Sequence, residues 1–451
     1  MTTAKVYVSK MGAEKMLVPG KDIIFKPNVY EENQVINIVP DLCYQEVFGF
    51  GATFTESSCF NYAKLSPKNQ ETVLEALFDT EKGLGLNFCR TTINSCDFAT
   101  ERYIYVTDDD PSLKTFSIER DLETIIPLIK AAKKRSKDLL LFASPWSPPA
   151  WMKDNKKVIN GGRLLDEYYQ TWADYFAKYF EAYKKAGIDF FGCSVQNEAA
   201  AWQTWESCKY TAEEEGIFVT KHLRPTLDKS GFKHLSILVW DHNRERLLER
   251  AIGTFAVPGA KDDIWGLAYH WYSGDHFFAL DMTKKMFPDK PLILSEFCYS
   301  EFDITDEAPS VHSGWKEAEN YLEEYIDNFN HHMSAFCGWI MIGDLKGGPY
   351  HDRVVGCKAP IVADFDNDKI TIEPIYYATA HFSRFVKRGA TKIGVSYFSK
   401  DIKATAFQNP DGELILIVLN KTDKETDIFF RLKEKTAEVT LAARSLSTYV
   451  I

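Results

Sequence analysis

Phe191-Gly192-Cys193-Ser194-Val195-Gln196-Asn197-Glu198 lacks strict polar and apolar alternation and ends on an amide and a carboxylate. Such a run suits a strand buried on both faces, and hence a parallel sheet covered by helices. Seven more stretches share its character: 48–55, 84–92, 139–145, 235–241, 264–270, 291–296 and 335–342. Helical patterns lie between them. Ser66-Pro67 opens one helix, Thr211-x-x-Glu214 is a capping box, and Ser117 precedes Ile118, Leu122, Ile125, Ile126 and Ile129 at helical spacing. Pro127 lies inside that last pattern and predicts a kink. Eight strand–helix units predict an α/β fold, a closed (β/α)8 TIM barrel over residues 41–384.

Outward from this core the periodicity changes. Lys403–Phe407 and Leu414–Leu419 flank Asn409-Pro410-Asp411-Gly412, a hairpin signal, and short strands follow at 427–432, 437–441 and 447–451. Residues 5–8, 23–27 and 34–39 are strand-like as well. The simplest arrangement is an appended antiparallel β-sandwich domain built from both chain ends, residues 1–40 and 385–451. No long linker separates it from the barrel, so the two are expected to pack tightly.

The 451 residues carry 53 Lys+Arg against 64 Asp+Glu, a net charge of −11, which argues against affinity for nucleic acid. No apolar run reaches the roughly 18 residues of a membrane span, so membrane insertion is not expected. The amino end has no signal-peptide pattern and predicts a cytoplasmic protein. Nine cysteines without a CxxC pair suit reduced, buried thiols rather than disulfides or a zinc site. His331-His332 would point apart on a helix and read as surface residues, and Glu213-Glu214-Glu215 suits a helix's first turn. HExxH, G-x-S-x-G and GxxxxGK[ST] are all missing from the sequence, which calls for neither a metal nor a cofactor.

Catalytic groups of such barrels sit at the carboxyl ends of strands. Glu198 ends the fourth run and Glu296 the seventh. One strand-end glutamate is more often an ion-pair partner, but two that converge across a barrel form a glycosidase pair, one acid and one nucleophile. Trp146, His270-Trp271-Tyr272 and Trp339 stand at other strand ends, where indole faces suit the C–H faces of sugars. The stripe Tyr168, Trp172, Tyr175, Phe176, Tyr179, Phe180, Tyr183 has helical spacing and reads as packing.

Several ordered motifs then stand out: 50–57 (Phe-Gly-Ala-Thr-Phe-Thr-Glu-Ser), Ser95-Cys96-Asp97-Phe98, 144–153 (Ser-Pro-Trp-Ser-Pro-Pro-Ala-Trp-Met-Lys), Gln196-Asn197-Glu198, His270-Trp271-Tyr272, Ser295-Glu296 and Gly347-Gly348-Pro349. With them the chain resembles glycoside hydrolase family 30, nearest its glucosylceramidase-like (acid β-glucosidase) branch. The resemblance implies a retaining exo-β-glycosidase acting on a small-molecule or oligosaccharide β-glycoside. It implies Glu198 as acid/base, protonated at rest, and Glu296 as nucleophile, kept ionised by Arg90 and Tyr272. Asn197 would bind the sugar 2-hydroxyl. Asp97, Trp146 and Trp339 would bind the rest of the sugar, with His270 and Trp271 completing the wall.

Two departures from the family pattern are visible. Ala199 replaces the usual proline after the acid, which loosens that backbone, and Gly338-Trp339-Ile340 replaces Asp-Trp-Asn, which alters hydroxyl recognition. A β-glucoside is the first choice of substrate; β-xyloside, β-fucoside and β-1,6-glucan lie within the family's range. The competing readings are an inverting hydrolase and a sugar-binding or host-interaction protein without turnover.

Overall fold

The computed structural model describes residues 2–28, 33–301, 311–351 and 356–451. Eight parallel strands close a barrel: Gly49–Phe54, Phe88–Ile93, Leu140–Pro145, Gly192–Ser194, Ser236–Asn243, Gly266–His270, Leu292–Glu296 and Met333–Ile340, here the first to eighth barrel strands. Every predicted run overlaps one of them. Most of these strands are buried along their whole length because helices cover the outside and side chains fill the inside. Phe88, Phe142, Leu238, Ala268, Ile293, Ala335 and Cys337 plug the interior, with Phe48, Phe191 and Trp265 packed against them.

Local signals explain the helices. Ser66 caps Pro67–Phe78 through the Asn69 amide, and Thr211 and Glu214 exchange both bonds of a capping box at Ala212–Phe218. The kink forms three residues ahead of where the sequence places it. Glu119–Glu123 and Ile125–Arg135 break at Thr124, because the ring of Pro127 would strike the carbonyl of Glu123 in a continuous helix. In the aromatic helix Tyr169–Lys185, Trp172, Tyr175, Phe176, Tyr179, Phe180 and Tyr183 are buried as a packing stripe.

Both chain ends build the second domain, but not as a purely antiparallel sandwich. Its strands form one rolled, 11-stranded sheet, in which Thr426–Leu432 runs parallel to Val35–Glu46. The latter strand crosses residue 40 and ends just before the barrel begins. The parallel pairing arises because these two strands are joined through the barrel rather than by a hairpin. Thr3–Lys10 lies antiparallel to Ser445–Val450, with Lys5 opposite Val450. The roll closes over Val6, Ile36, Ile402, Leu416, Val418, Phe430 and Tyr449. It docks on the barrel helix Trp315–Asn330 through Lys403 to Asp327 at 2.5 Å, Lys421 to Glu323 at 2.6 Å and Arg444 to Glu319 at 3.0 Å.

The nine cysteines are free thiols, eight of them buried. His331 and His332 do not diverge on a helix. The helix ends at Asn330, His332 turns left-handed at φ 73°, and both imidazoles approach Asp281, at 2.9 and 3.6 Å. Glu213, Glu214 and Glu215 stand in the first turn of Ala212–Phe218 as expected, and Glu215, fully buried, also accepts from the Trp240 amide and pairs with Arg250 at 2.5 Å.

Candidate active site

Irregular backbone at the carboxyl rim of the barrel sets the site. The pairing register slips at Trp240/His242, Tyr269/His270 and Gly338/Ile340, so Asp241, Ser295 and Trp339 are extra residues in their strands. Bulges of this kind re-aim side chains at barrel rims. Trp240 and Asp241 have φ of 73° and 46°, and Glu198 has φ of 51°. The Glu198 amide donates to the Asp241 carbonyl at 2.7 Å and the Ala201 amide to the Glu198 carbonyl at 2.8 Å. Those bonds hold the turn that Ala199 was expected to loosen.

Glu296 is gripped from two sides. Arg90 Nη1 donates to Oε2 at 2.6 Å and the Tyr272 hydroxyl to Oε1 at 2.8 Å. The same guanidinium donates to Asn197 Oδ1 and Asp241 Oδ2, each at 2.8 Å, and through Nε to Ser144 Oγ at 2.9 Å. Burial works against its charge, but Asp241 and then Glu296 more than compensate and raise its pKa. Asp241 also accepts from Ser194 and Ser295, each at 2.5 Å. Burial would raise its carboxyl, yet Arg90 and His270 hold it well below the usual range.

Glu198 has softer neighbours. His270 Nδ1 lies 3.3 Å and His242 Nδ1 3.5 Å from its Oε1, and the Gln203 amide donates to Oε2. Burial would raise its pKa, but His242, His270 and Gln203 outweigh that and hold it below the usual range. The carboxyl expected to rest protonated thus sits among neighbours that favour its anion. Burial disfavours charge on His270, but Glu296, then bonds to Asp241 and Glu198, push its pKa up to about 9. His270 Nδ1 lies within 4.0 Å of both glutamates, so the two carboxylates face one small space.

That space is a cavity of about 260 Å³ lined by Asp97, Trp146, Asn197, Glu198, Tyr272, Glu296 and Trp339 among the residues foreseen. Trp146 and Trp339 stack at 5.3 Å with the Arg90 guanidinium 4.7 Å from the Trp146 ring, and Phe98 meets Trp339 edge-on. Burial, then Glu296, Glu206 and Glu198, raise Asp97 well above an ordinary carboxyl. Two foreseen wall residues lie elsewhere. His270 is fully buried below the cavity, where it bridges Asp241 and Glu198. Trp271 lies in the bend just past the sixth barrel strand, where it packs on Phe297 at 4.3 Å and donates to the Cys298 carbonyl. Gln203, Trp205, His242, Asn243, Cys298 and Cys357 also line the cavity and were not foreseen. Asp241 could have been found, because it ends the fifth predicted strand as Glu198 and Glu296 end theirs.

The chain matches the glycosyl hydrolase family 30 TIM-barrel domain over residues 47–386 and the family 30 beta sandwich domain over residues 389–449. It is 32% identical over 411 residues to the lysosomal acid glucosylceramidase of Mus musculus, covering 87% of this chain and 78% of that protein. It is 26% identical to an endo-1,6-beta-D-glucanase of Trichoderma harzianum, covering 90% and 84% of the two chains. The crystal structure of SrfJ from Salmonella typhimurium superposes with a TM-score of 0.94 at 33% identity, covering 100% of this chain and 99% of that one.

Proposed function

Since the chain belongs to glycosyl hydrolase family 30 and is a glycoside hydrolase, we propose that it removes a terminal β-glucosyl unit from small β-glucosides with retention of configuration. Glu296 attacks the anomeric carbon; Arg90 and Tyr272 each hold one of its oxygens and fix its direction. Glu198 passes a proton to the leaving oxygen, then takes one from the water that breaks the glycosyl-enzyme bond. Its own proton comes from His270 Nδ1, which faces it at 3.3 Å. Arg90 occupies the Asn197 carbonyl oxygen, so the Asn197 amide hydrogens are left for the sugar 2-hydroxyl.

The observation that carries this reading is the position of His270 Nδ1, within 4.0 Å of Glu198 and of Glu296. Retention is supported by the hold of Arg90 and Tyr272 on both oxygens of Glu296, which suits a nucleophile, and by the glycosyl hydrolase family 30 match. A cavity of about 260 Å³ is small beside the roughly 300–1,000 Å³ of drug-sized sites and fits one sugar ring, which favours exo-cleavage. Glucose as glycone is supported by the relative named glucosylceramidase, whose printed activity we extend to this chain by likeness.

A panel of chromogenic β-glucoside, β-xyloside, β-fucoside and β-galactoside, with a β-1,6-glucan, tests the glycone, and proton NMR of the first-formed sugar tests the stereochemistry. Fastest release from the glucoside as the β-anomer is expected. The α-anomer first would mean inversion, and binding without turnover across the panel would mean a sugar-binding protein.

A further inference from the structure

Three donor atoms from three barrel strand ends meet on the acid/base side of the cavity: Glu198 Oε1, His242 Nδ1 and His270 Nδ1, all within 4.8 Å of one another. We propose that they form a reversible inhibitory site for a divalent transition-metal cation of the Zn²⁺ type. Around a tetrahedral ion with bonds of about 2.0–2.1 Å, ligand atoms stand about 3.3–3.4 Å apart. Glu198 Oε1 is 3.3 Å from His270 Nδ1 and 3.5 Å from His242 Nδ1, so the ligand edges around the carboxylate oxygen are already formed.

Two further observations point to an ion rather than to a hydrogen-bonded cluster. His242 Nδ1 is buried without a hydrogen-bond partner although it faces a carboxylate, and the bulge beside it is what turns it inward. His270 Nε2 lies 3.1 Å from Asp241 Oδ1, which fixes a proton on Nε2 and leaves Nδ1 free to bind once its own proton departs. This is the carboxylate–histidine–metal arrangement in which an outer carboxylate orients a ligating imidazole. Glu296 and Asp241 add negative charge within reach of a dication. The fourth position opens into the cavity and takes a water molecule. With the ion in place, Glu198 Oε1 can neither carry nor receive a proton, so hydrolysis stops until the ion leaves.

The loss of activity rests on the role proposed for Glu198; the binding does not. The full-length protein is therefore titrated with Zn²⁺ by calorimetry and with Co²⁺ by visible absorption, beside assays of aryl β-glucoside hydrolysis with and without Zn²⁺. One ion per chain is expected, with the intense bands of tetrahedral Co²⁺ and inhibition reversed by a chelator. His242→Ala and His242→Gln should each weaken binding at least ~100-fold, while Cys298→Ala and Cys357→Ala leave it intact. Inhibition is compared with each variant's own metal-free rate. Unchanged binding in both His242 variants, loss of binding in a cysteine variant, or weak octahedral Co²⁺ bands would overturn the proposal. Tetrahedral binding that depends on His242 in a protein without glucosidase activity would uphold the metal site and reject the hydrolytic reading.

Discussion

The two glutamates share one cavity but live in opposite electrostatic worlds. Glu296 is held by a guanidinium that never loses its proton and by a phenol whose pKa burial and Glu296 raise further. Glu198 is held by two imidazoles and an amide, groups that give and take protons or simply lend one. A nucleophile needs a charge that stays put, and an acid/base needs one that comes and goes. Similar carboxyl groups are assigned different work by the titration range of their neighbours.

The largest effect should come from the fixed side. Glu296→Gln removes the attacking anion and should lower kcat by roughly 10⁴–10⁶-fold, with no recovery on adding azide. Glu198→Gln should cost about 10²–10⁴-fold on poor leaving groups, far less on a dinitrophenyl glucoside, and azide should restore turnover as a β-glycosyl azide. If both variants respond alike to azide, the division between the two sides is wrong. Asp241→Asn touches both sides at once, through Arg90 and His270. A tenfold to hundredfold fall in kcat is expected, with a loss of about 3–5 kcal/mol in unfolding free energy because buried cations lose a partner; urea titration beside steady-state kinetics checks it.

Stability against pH sharpens the contrast. His270 has a folded pKa of about 9, above its unfolded value of about 6.5. Its contribution is therefore complete below pH ~6.5 and fades as pH climbs toward 9, a difference on the order of 3 kcal/mol. Asp241 is depressed, so its contribution exists above pH ~3.9 and is lost on further acidification. Thermal melts from pH 4 to 10 should fall off on the alkaline side, and His270→Gln should flatten that limb. The smallest effect on catalysis belongs far from the rim. Leu416→Ala in the core of the roll should cost about 2–5 kcal/mol of stability and leave kcat/KM unchanged.

All eight barrel strands, most sandwich strands and both catalytic candidates were legible, because buried parallel strands leave uninterrupted apolar runs and a charge at the end of one is conspicuous. The irregular backbone around them was not. Asp241 and Trp339 occupy bulges, and although both stand at predicted strand ends, no composition rule marks where a register slips. His242 is hidden for the same reason, and Glu198, His242 and His270 come from strand ends 44 and 28 residues apart along the chain, so no spacing rule links them. Trp271 was misplaced by grouping it with its two neighbours, although the chain bends there, just past the strand end, and the indole packs on Phe297 instead.

Thr3–Lys10 is made well before its main partner, Ser445–Val450, with the whole barrel lying between them along the chain. Until then one edge of the nascent roll is bare, and the interval is filled by the making of the whole barrel. The barrel is thus expected to mature first and to present helix Trp315–Asn330 as the template on which the two waiting halves of the sheet are gathered.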